Sequence, residues 1–276
     1  MRILLEGFRT NRAFRLATLC VFLLLVVTVA APWISPYDPL HAVMTDANSA
    51  PSAAHWFGTD KLGRDVLSRV LCGALYSLTS VLVLVFIIFV IGTTLGVLSG
   101  YFGGLLETVI MRIADMMISF PGVILAIAIA GILGGSLVNA MIALTIVTWT
   151  KYARLARSLV LKIKEKEFVQ AAIVNGGTHF HILWAHILPN ILPLLVITAA
   201  ADIGAMTMEL AGLSFLGFGS QPPAPEWGLM LNEGRQQMQT APWLMFFPGL
   251  AIFGTVVLFN VWGDLLRDVL DPRQTS

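Results

Sequence analysis

Long apolar runs separated by short polar stretches set the pattern of this chain. Six such runs cover residues 16–34, 76–100, 117–133, 137–152, 191–215 and 243–262, each dense in Leu, Ile, Val, Phe and Ala. A helix of about 20 apolar residues crosses roughly 30 Å of hydrocarbon, so the pattern predicts six membrane-spanning helices and an all-α integral membrane protein. The first run has 19 residues without a charge. That exceeds the roughly 7–15 residues of a cleavable signal core, so it is expected to stay as a span. Trp33 and Tyr37 stand at its far end, where amphipathic rings favour the interface.

The polar stretches differ from one another. Residues 35–75 are rich in Pro, Asp, Ser and Ala and predict a folded loop outside the bilayer. Residues 107–119 mix Glu107, Arg112 and Asp115 with apolar residues at helical spacing, an interfacial start to the third span, with Pro121 close by. Gly134-Gly135-Ser136 makes a tight turn, residues 216–242 form a second outer loop with Pro222, Pro223 and Pro225, and residues 263–276 are a short tail. The chain divides at residue 75: residues 1–75 hold the N-terminal segment, first span and outer loop, and residues 76–276 hold a five-helix core containing a polar segment at 151–190.

Composition agrees with this pattern. Hydrophobic residues make up 57% and charged residues 12%, against about 25% charged in soluble domains. A net charge of +1 points to no bulk partner such as nucleic acid, but the distribution of charge is informative. Thirteen Lys and Arg fall on the side of the termini and the 151–190 segment, and four (Lys61, Arg64, Arg69 and Arg235) on the other. The excess of positive charge places both termini and the central segment in the cytoplasm.

Little in the chain suggests catalysis. Gly58-Thr-Asp-Lys-Leu-Gly63 has the glycine spacing of a phosphate loop, but Arg64-Asp65 follows where Lys-Ser/Thr is needed. Neither HExxH nor GxSxG occurs, Cys20 and Cys72 form no CxxC, and the five histidines lie scattered over loops, so no metal site is expected. Without a nucleophile–base pair or cofactor loop, the chain is not expected to be an enzyme by itself.

The central segment predicts a basic helix from Lys151 to about Asn175, broken at Gly176-Gly177. Thr178 can then cap a second short helix, ending before Leu188-Pro189. Ala171 and Ala172 present little bulk beside the corner, and Phe168 and Phe180 flank it as apolar anchors, which suits a protein groove. A basic amphipathic hairpin lying on anionic lipid is the rival reading.

The pattern Gln170-Ala-Ala-x-x-x-Gly176, then nine residues to His186-Ile-Leu-Pro189, closely resembles the "EAA" loop of permease subunits of binding-protein-dependent ABC importers, with Gln170 in place of the glutamate. Phe57-Gly-Thr-Asp-Lys-Leu-Gly-Arg-Asp65, Met111-Arg-Ile-Ala-Asp115 with Phe120-Pro121, Ala211-Gly-Leu-Ser-Phe-Leu-Gly-Phe-Gly219, Pro225-Glu-Trp-Gly228, Phe247-Pro-Gly249, Gly263-Asp264 and Leu270-Asp-Pro272 resemble the "C"-type permeases of the peptide/nickel branch. The resemblance implies a type I importer permease fold in the inner membrane. It also implies a homologous second permease, two cytoplasmic ATPases that carry ATP and Mg²⁺, and an extracytoplasmic solute-binding protein. Gln170, Ala171, Ala172, Gly176, Gly177, His186, Leu188 and Pro189 would form the ATPase-coupling segment. The cargo would be nickel, a metal chelate, or a di- or oligopeptide; Gln239-Thr-Ala-Pro-Trp243 and Met245-Phe-Phe-Pro-Gly249 lean toward the nickel or metallophore members.

Asp202 and Glu209 lie seven apart in the fifth span, on one helical face. A carboxylate in a span is costly and suspect of function. The two would line the path with Met206 and favour a cationic solute, or else pair with polar groups of the partner permease or sit near the span's ends. Met206 and Met208 are either soft metal ligands or, as is commoner for Met in a span, packing residues. The outer loops around 58–65 and 222–227 either meet the binding protein or pack on themselves through Trp56, Trp227 and an Asp60–Arg64 pair. The alternative from another class is a self-contained secondary transporter or channel, which would not need a docking loop.

Overall fold

The computed structural model describes Phe8 and residues 10–270. Arg2, Glu6 and Arg9 at one end, and Arg273 with the Asp271-Pro272 step at the other, lie outside the described residues. Described in chain order, the helices are α1 (Arg12–Ile34), α2 (Val66–Phe102), α3 (Gly104–Ile118), α4 (Gly122–Leu133), α5 (Leu137–Lys164), α6 (Glu167–Val174), α7 (His179–Phe215), α8 (Trp227–Gly234) and α9 (Trp243–Leu270). No strand occurs among the described residues beyond a single bridge between Thr59 and Asp65.

Helices α1, α2, α7 and α9 are long and apolar enough to cross a membrane. The expected third span is broken. Pro121 follows Phe120, and a residue before proline is driven out of the helical region; α3 and α4 meet there at 94°. The 12 residues of α4 reach only about 18 Å at 1.5 Å per residue, about half the hydrocarbon thickness. The expected fourth span is the first part of α5, whose 28 residues run straight on from the apolar half into the basic one. The last helix also outruns its expected end at Trp262, continuing to Leu270 through Asp264, Arg267 and Asp268.

Helix α2 is the central post. Its start is fixed by Asp65, whose carboxylate accepts from the Ser68 backbone N–H at 2.8 Å. Gly92, Gly96 and Gly100 form a stripe at four-residue spacing against α5. A Cβ on Gly96 would stand 2.3 Å from the Ala153 carbonyl oxygen, so only glycine allows this approach. The main core gathers Leu78, Leu84 and Ile88 of α2 with Leu144 of α5, Leu210 of α7, Trp227 of α8 and Phe259 of α9. A separate, smaller core sits at the far end of α2. There Val97, Tyr101 and Val160 pack against Val169, Ile182, Ile187 and Ile191.

Candidate functional site

The smaller core anchors the 151–190 segment. Helix α5 stops at Lys164, where Glu165 is its C-cap, and α6 begins after Lys166. The single basic helix expected to reach Asn175 is thus two helices. The break lies at Glu165-Lys166, and Gln170 closes it by donating from Nε2 to the Lys164 carbonyl at 2.8 Å. An ionised glutamate in this position could not make that bond, having no proton to donate.

Gly176 then turns the chain with φ +75, and nothing stands within 4 Å of where its Cβ would be. Gly177 is tighter: its N–H donates to the Ala172 carbonyl at 3.0 Å, and a Cβ there would meet the same oxygen at 2.8 Å. The Thr178 hydroxyl accepts from the His181 N–H at 3.3 Å, capping the next helix as its position suggests.

That helix does not end before Pro189. It passes through a π-helical stretch at Ile182–Ile187 and runs on unbroken as α7. Proline at Pro189 lacks an N–H and crowds the carbonyl four residues back, and widening the preceding turn relieves the conflict. Leu188 packs on the smaller core, Pro189 is exposed, and the His186 ring lies 6.2 Å from Phe168 and 5.5 Å from His181.

What the corner offers outward is apolar. Phe168, Ile173, Val174, Phe180 and Trp184 are exposed, Val174 to 84%. Val169 faces inward and is fully buried. Ala171 is exposed and Ala172 half-buried, so the small pair sits on the ridge between the two faces. His179 accepts or donates through Nδ1 to the Tyr101 hydroxyl at 2.8 Å, which ties the corner to the end of α2.

Asp202 is left by the sequence to line the path or to pair with polar groups. It is buried, and its two oxygens accept from Lys151 Nζ at 2.6 Å and from the Tyr152 hydroxyl at 2.8 Å. Its charge is therefore balanced inside the chain. Glu209 is half-buried two turns along the same helix. Met206 is 4% exposed in the main core, while Met208 is exposed. Lys151 and Tyr152 were legible as the polar end of an apolar run, but nothing local in the sequence pairs them with a residue 50 positions on. Among the described residues no three His, Cys, Asp or Glu side chains come together as a metal-holding group.

At the opposite end, the 58–65 motif closes on itself. Gly58 and Gly63 both have φ +73, and a Cβ on Gly63 would lie 1.8 Å from the Val43 carbonyl oxygen. Asp60 accepts from the Leu62 N–H at 2.8 Å, the Arg64 N–H at 3.0 Å and Arg64 Nε at 2.7 Å, and it pairs closely with Arg69. Glu233 of α8 completes the knot, accepting from Arg69 Nη2 at 2.9 Å. Burial alone would raise Asp60, but Arg69 and Arg64 outweigh it and hold its carboxyl below the ordinary 3.8. Glu226 is buried as the cap of α8, accepting from the N–H groups of Gly228 at 2.8 Å and Leu229 at 2.9 Å. Desolvation pushes Glu226 up. Trp227 packs inside and donates to the Val70 carbonyl at 2.9 Å, whereas Trp56 stays exposed.

Comparison with known proteins identifies the architecture. Residues 92–276 match the family described as binding-protein-dependent transport system inner membrane component, and residues 1–51 match the N-terminal transmembrane domain of oligopeptide transport permease C. The chain is a permease of this family. The glutathione transport system permease protein GsiD of Escherichia coli O6:K15:H31 is 46% identical over 267 residues, covering 96% of this chain and 88% of that protein. The nickel transport system permease protein NikC of Escherichia coli K12 is 41% identical over 259 residues, 94% of each chain. Among solved structures, an inward-facing form of the MetNI methionine ABC transporter matches with TM-score 0.58 at 23% identity, covering 74% of this permease and 97% of that chain. The permease thus has the fold of an ABC importer's membrane subunit and is a multi-pass inner-membrane transport component.

Proposed function

We propose that this permease forms the import path with a homologous second permease, and that cytoplasmic ATPases drive it by docking on the corner around Gly176. ATP and Mg²⁺ belong to those ATPases, and the chain itself carries no catalytic step. Both termini and the 151–190 segment face the cytoplasm, as the thirteen-to-four division of Lys and Arg supports. A solute-binding protein delivers cargo to the opposite side. The cargo is nickel, a metal chelate, or a di- or oligopeptide; relatives named for glutathione and for nickel transport support this range.

The exposed apolar knob carries this reading. Phe168, Ile173, Val174, Phe180 and Trp184 stand around the small-residue ridge, and the buried faces of α6 and α7 pack on α2 and α5. A rigid knob of this kind transmits rigid-body rocking to the helices behind it. Gln170, Ala171, Ala172, Gly176 and Gly177 shape the contact; His186, Leu188 and Pro189 set the exit into α7.

Ala171→Arg is the test, because Ala171 is exposed and the substitution leaves the smaller core intact. Uptake by the assembled transporter is expected to be lost, with ATP hydrolysis no longer responding to the loaded binding protein and the permease still folded and inserted. Gly176→Leu should do the same with some added backbone strain. Normal uptake in both would mean that the corner is a surface hairpin and nothing more.

A further inference from the structure

We infer that α3 and α5 form a binding site for the headgroup of an anionic phospholipid in the inner leaflet, with Arg112, Arg154 and Arg157 as its cationic wall. The inference rests on the cytoplasmic placement of the 151–190 segment proposed above.

The backbone lays α3 along the membrane surface. Gly103 and Gly104, with φ +68 and +62, turn the chain sharply at the end of α2. Helix α3 then meets α4 at 94°, so with α4 along the membrane normal α3 lies in its plane. Leu105, Val109, Ile113 and Met116 are all exposed and recur every three or four residues. They make one exposed apolar stripe, with Glu107, Arg112 and Asp115 standing beside it on the same helix, the form of a helix seated at the headgroup–acyl boundary.

Beside that stripe, α3 and α5 enclose a cleft of about 790 Å³ whose walls include Glu107, Thr108, Arg112, Asp115, Arg154 and Arg157. Three guanidinium groups face two carboxylates. Asp115 accepts from Arg154 through Nη2, and Glu107 accepts from Arg157 Nε at 2.7 Å and also from its Nη2. Arg112 is exposed and has no such partner among the described residues. Arg154 and Arg157 both line the cleft, and each guanidinium carries five N–H donors, more than these pairs use. An unbalanced cation and several free donors thus lie at the depth of an apolar stripe. A phosphodiester with acyl chains satisfies both; a free anionic solute would use the guanidiniums and leave the stripe unmatched.

The test reads bound lipid directly, without needing transport. The assembled transporter is placed in nanodiscs of phosphatidylethanolamine with added phosphatidylglycerol, and retained lipid is counted by native mass spectrometry. Enrichment of phosphatidylglycerol is expected. Arg112→Gln should lower its retention about fivefold, the weight of one basic side chain at an anionic surface, and Arg112→Glu further. Asp115→Asn should raise it by freeing Arg154. Equal retention of both lipids by the unsubstituted permease, or retention unmoved by Arg112→Glu, would overturn the site. If Arg112→Glu raised the KM for the carried solute equally in membranes with and without phosphatidylglycerol, with lipid retention unchanged, the cleft would serve the solute and the lipid assignment would fall. Failure of the Ala171→Arg uptake test leaves these lipid counts readable, so the two proposals fail separately.

Discussion

Arg64 and Arg69, at the end of α2 proposed above to be the outer one, have side chains 2% and 1% exposed, whereas Arg154 and Arg157, toward the end of α5 proposed to be the inner one, are 46% and 35% exposed. Both ends pair arginines with carboxylates, Glu233 at the first and Glu107 and Asp115 at the second coming from distant elements. At the outer end two arginines share two acids, Asp60 and Glu233, inside a closed loop, and the network ties that loop to α8. At the inner end each pair is separate, half-open and flanked by an uncompensated Arg112. Buried pairs hold a fold in one arrangement because losing a partner strands a charge. Open pairs exchange partners with water and ligands at little cost. The outer knot is thus suited to fixing a rigid platform, and the inner end to meeting lipid and protein partners and to moving.

Asp60→Ala should have the largest effect. It leaves Arg64 and Arg69 buried with only Glu233 between them, and breaking a buried pair costs about 3–5 kcal/mol. A fall in thermal unfolding temperature in detergent, with poor insertion, is the expected result; a shift within error would show that the knot is dispensable. The pH dependence follows from the sign of the shift. The carboxyl of Asp60 is held below its ordinary 3.8, so its stabilisation is complete above that value and fades only as pH falls through the lower folded one. An Asp60→Asn variant should lack this acid-side loss when unfolding is followed below pH 4, about the ordinary carboxylate range.

The same comparison explains what could be read from the chain. Lipid demands long apolar helices with internally satisfied backbones, so the runs at 16–34, 76–100, 191–215 and 243–262 announced themselves. The Gly176 corner and its Thr178 cap were also legible, because glycine and threonine act through neighbouring backbone. The fusion of the short helix with α7 across Pro189 was not, because a proline that normally stops a helix is absorbed by a π-helical stretch. Nor was the break at Glu165-Lys166, where two good helix formers carry no sign of an end. The outer knot escaped in part: Asp60 and Arg64 are neighbours in sequence, but Glu233 lies 164 residues from Arg69. The charge of Asp202 was visible and its cancellation by Lys151 was not, since that partner belongs to another helix.

A smaller effect is expected at the α5–α6 break. Gln170→Glu removes the amide that caps the Lys164 carbonyl and sets an oxygen against an oxygen. A single such bond is worth about 0.5–1.5 kcal/mol, and its exposed position, open to water, places this case at the low end. Thermal unfolding should fall slightly, and Gln170→Ala should fall by no more. A loss as large as that of Asp60→Ala would mean that the inner end is as rigid as the outer.

The smallest effect on stability belongs to Asp115→Asn. Asp115 and Arg154 are 56% and 46% exposed, and exposed pairs contribute below about 1 kcal/mol because water and salt screen them. The substitution keeps the shape of the side chain and leaves Arg154 solvated rather than stranded. Unfolding temperature should therefore stay within about 2–4 °C of the parent, and any difference should shrink as salt is raised toward about 1 M, where the screening length falls to about 3 Å. The outer pairs should show no such salt dependence, being closed to ions. If Asp115→Asn instead destabilised the permease as strongly as Asp60→Ala, the pair would have to be buried in the assembled transporter, most directly by the second permease covering the α3–α5 cleft. The contrast between a locked outer end and an open inner end would then hold for the separate chain but not for the transporter.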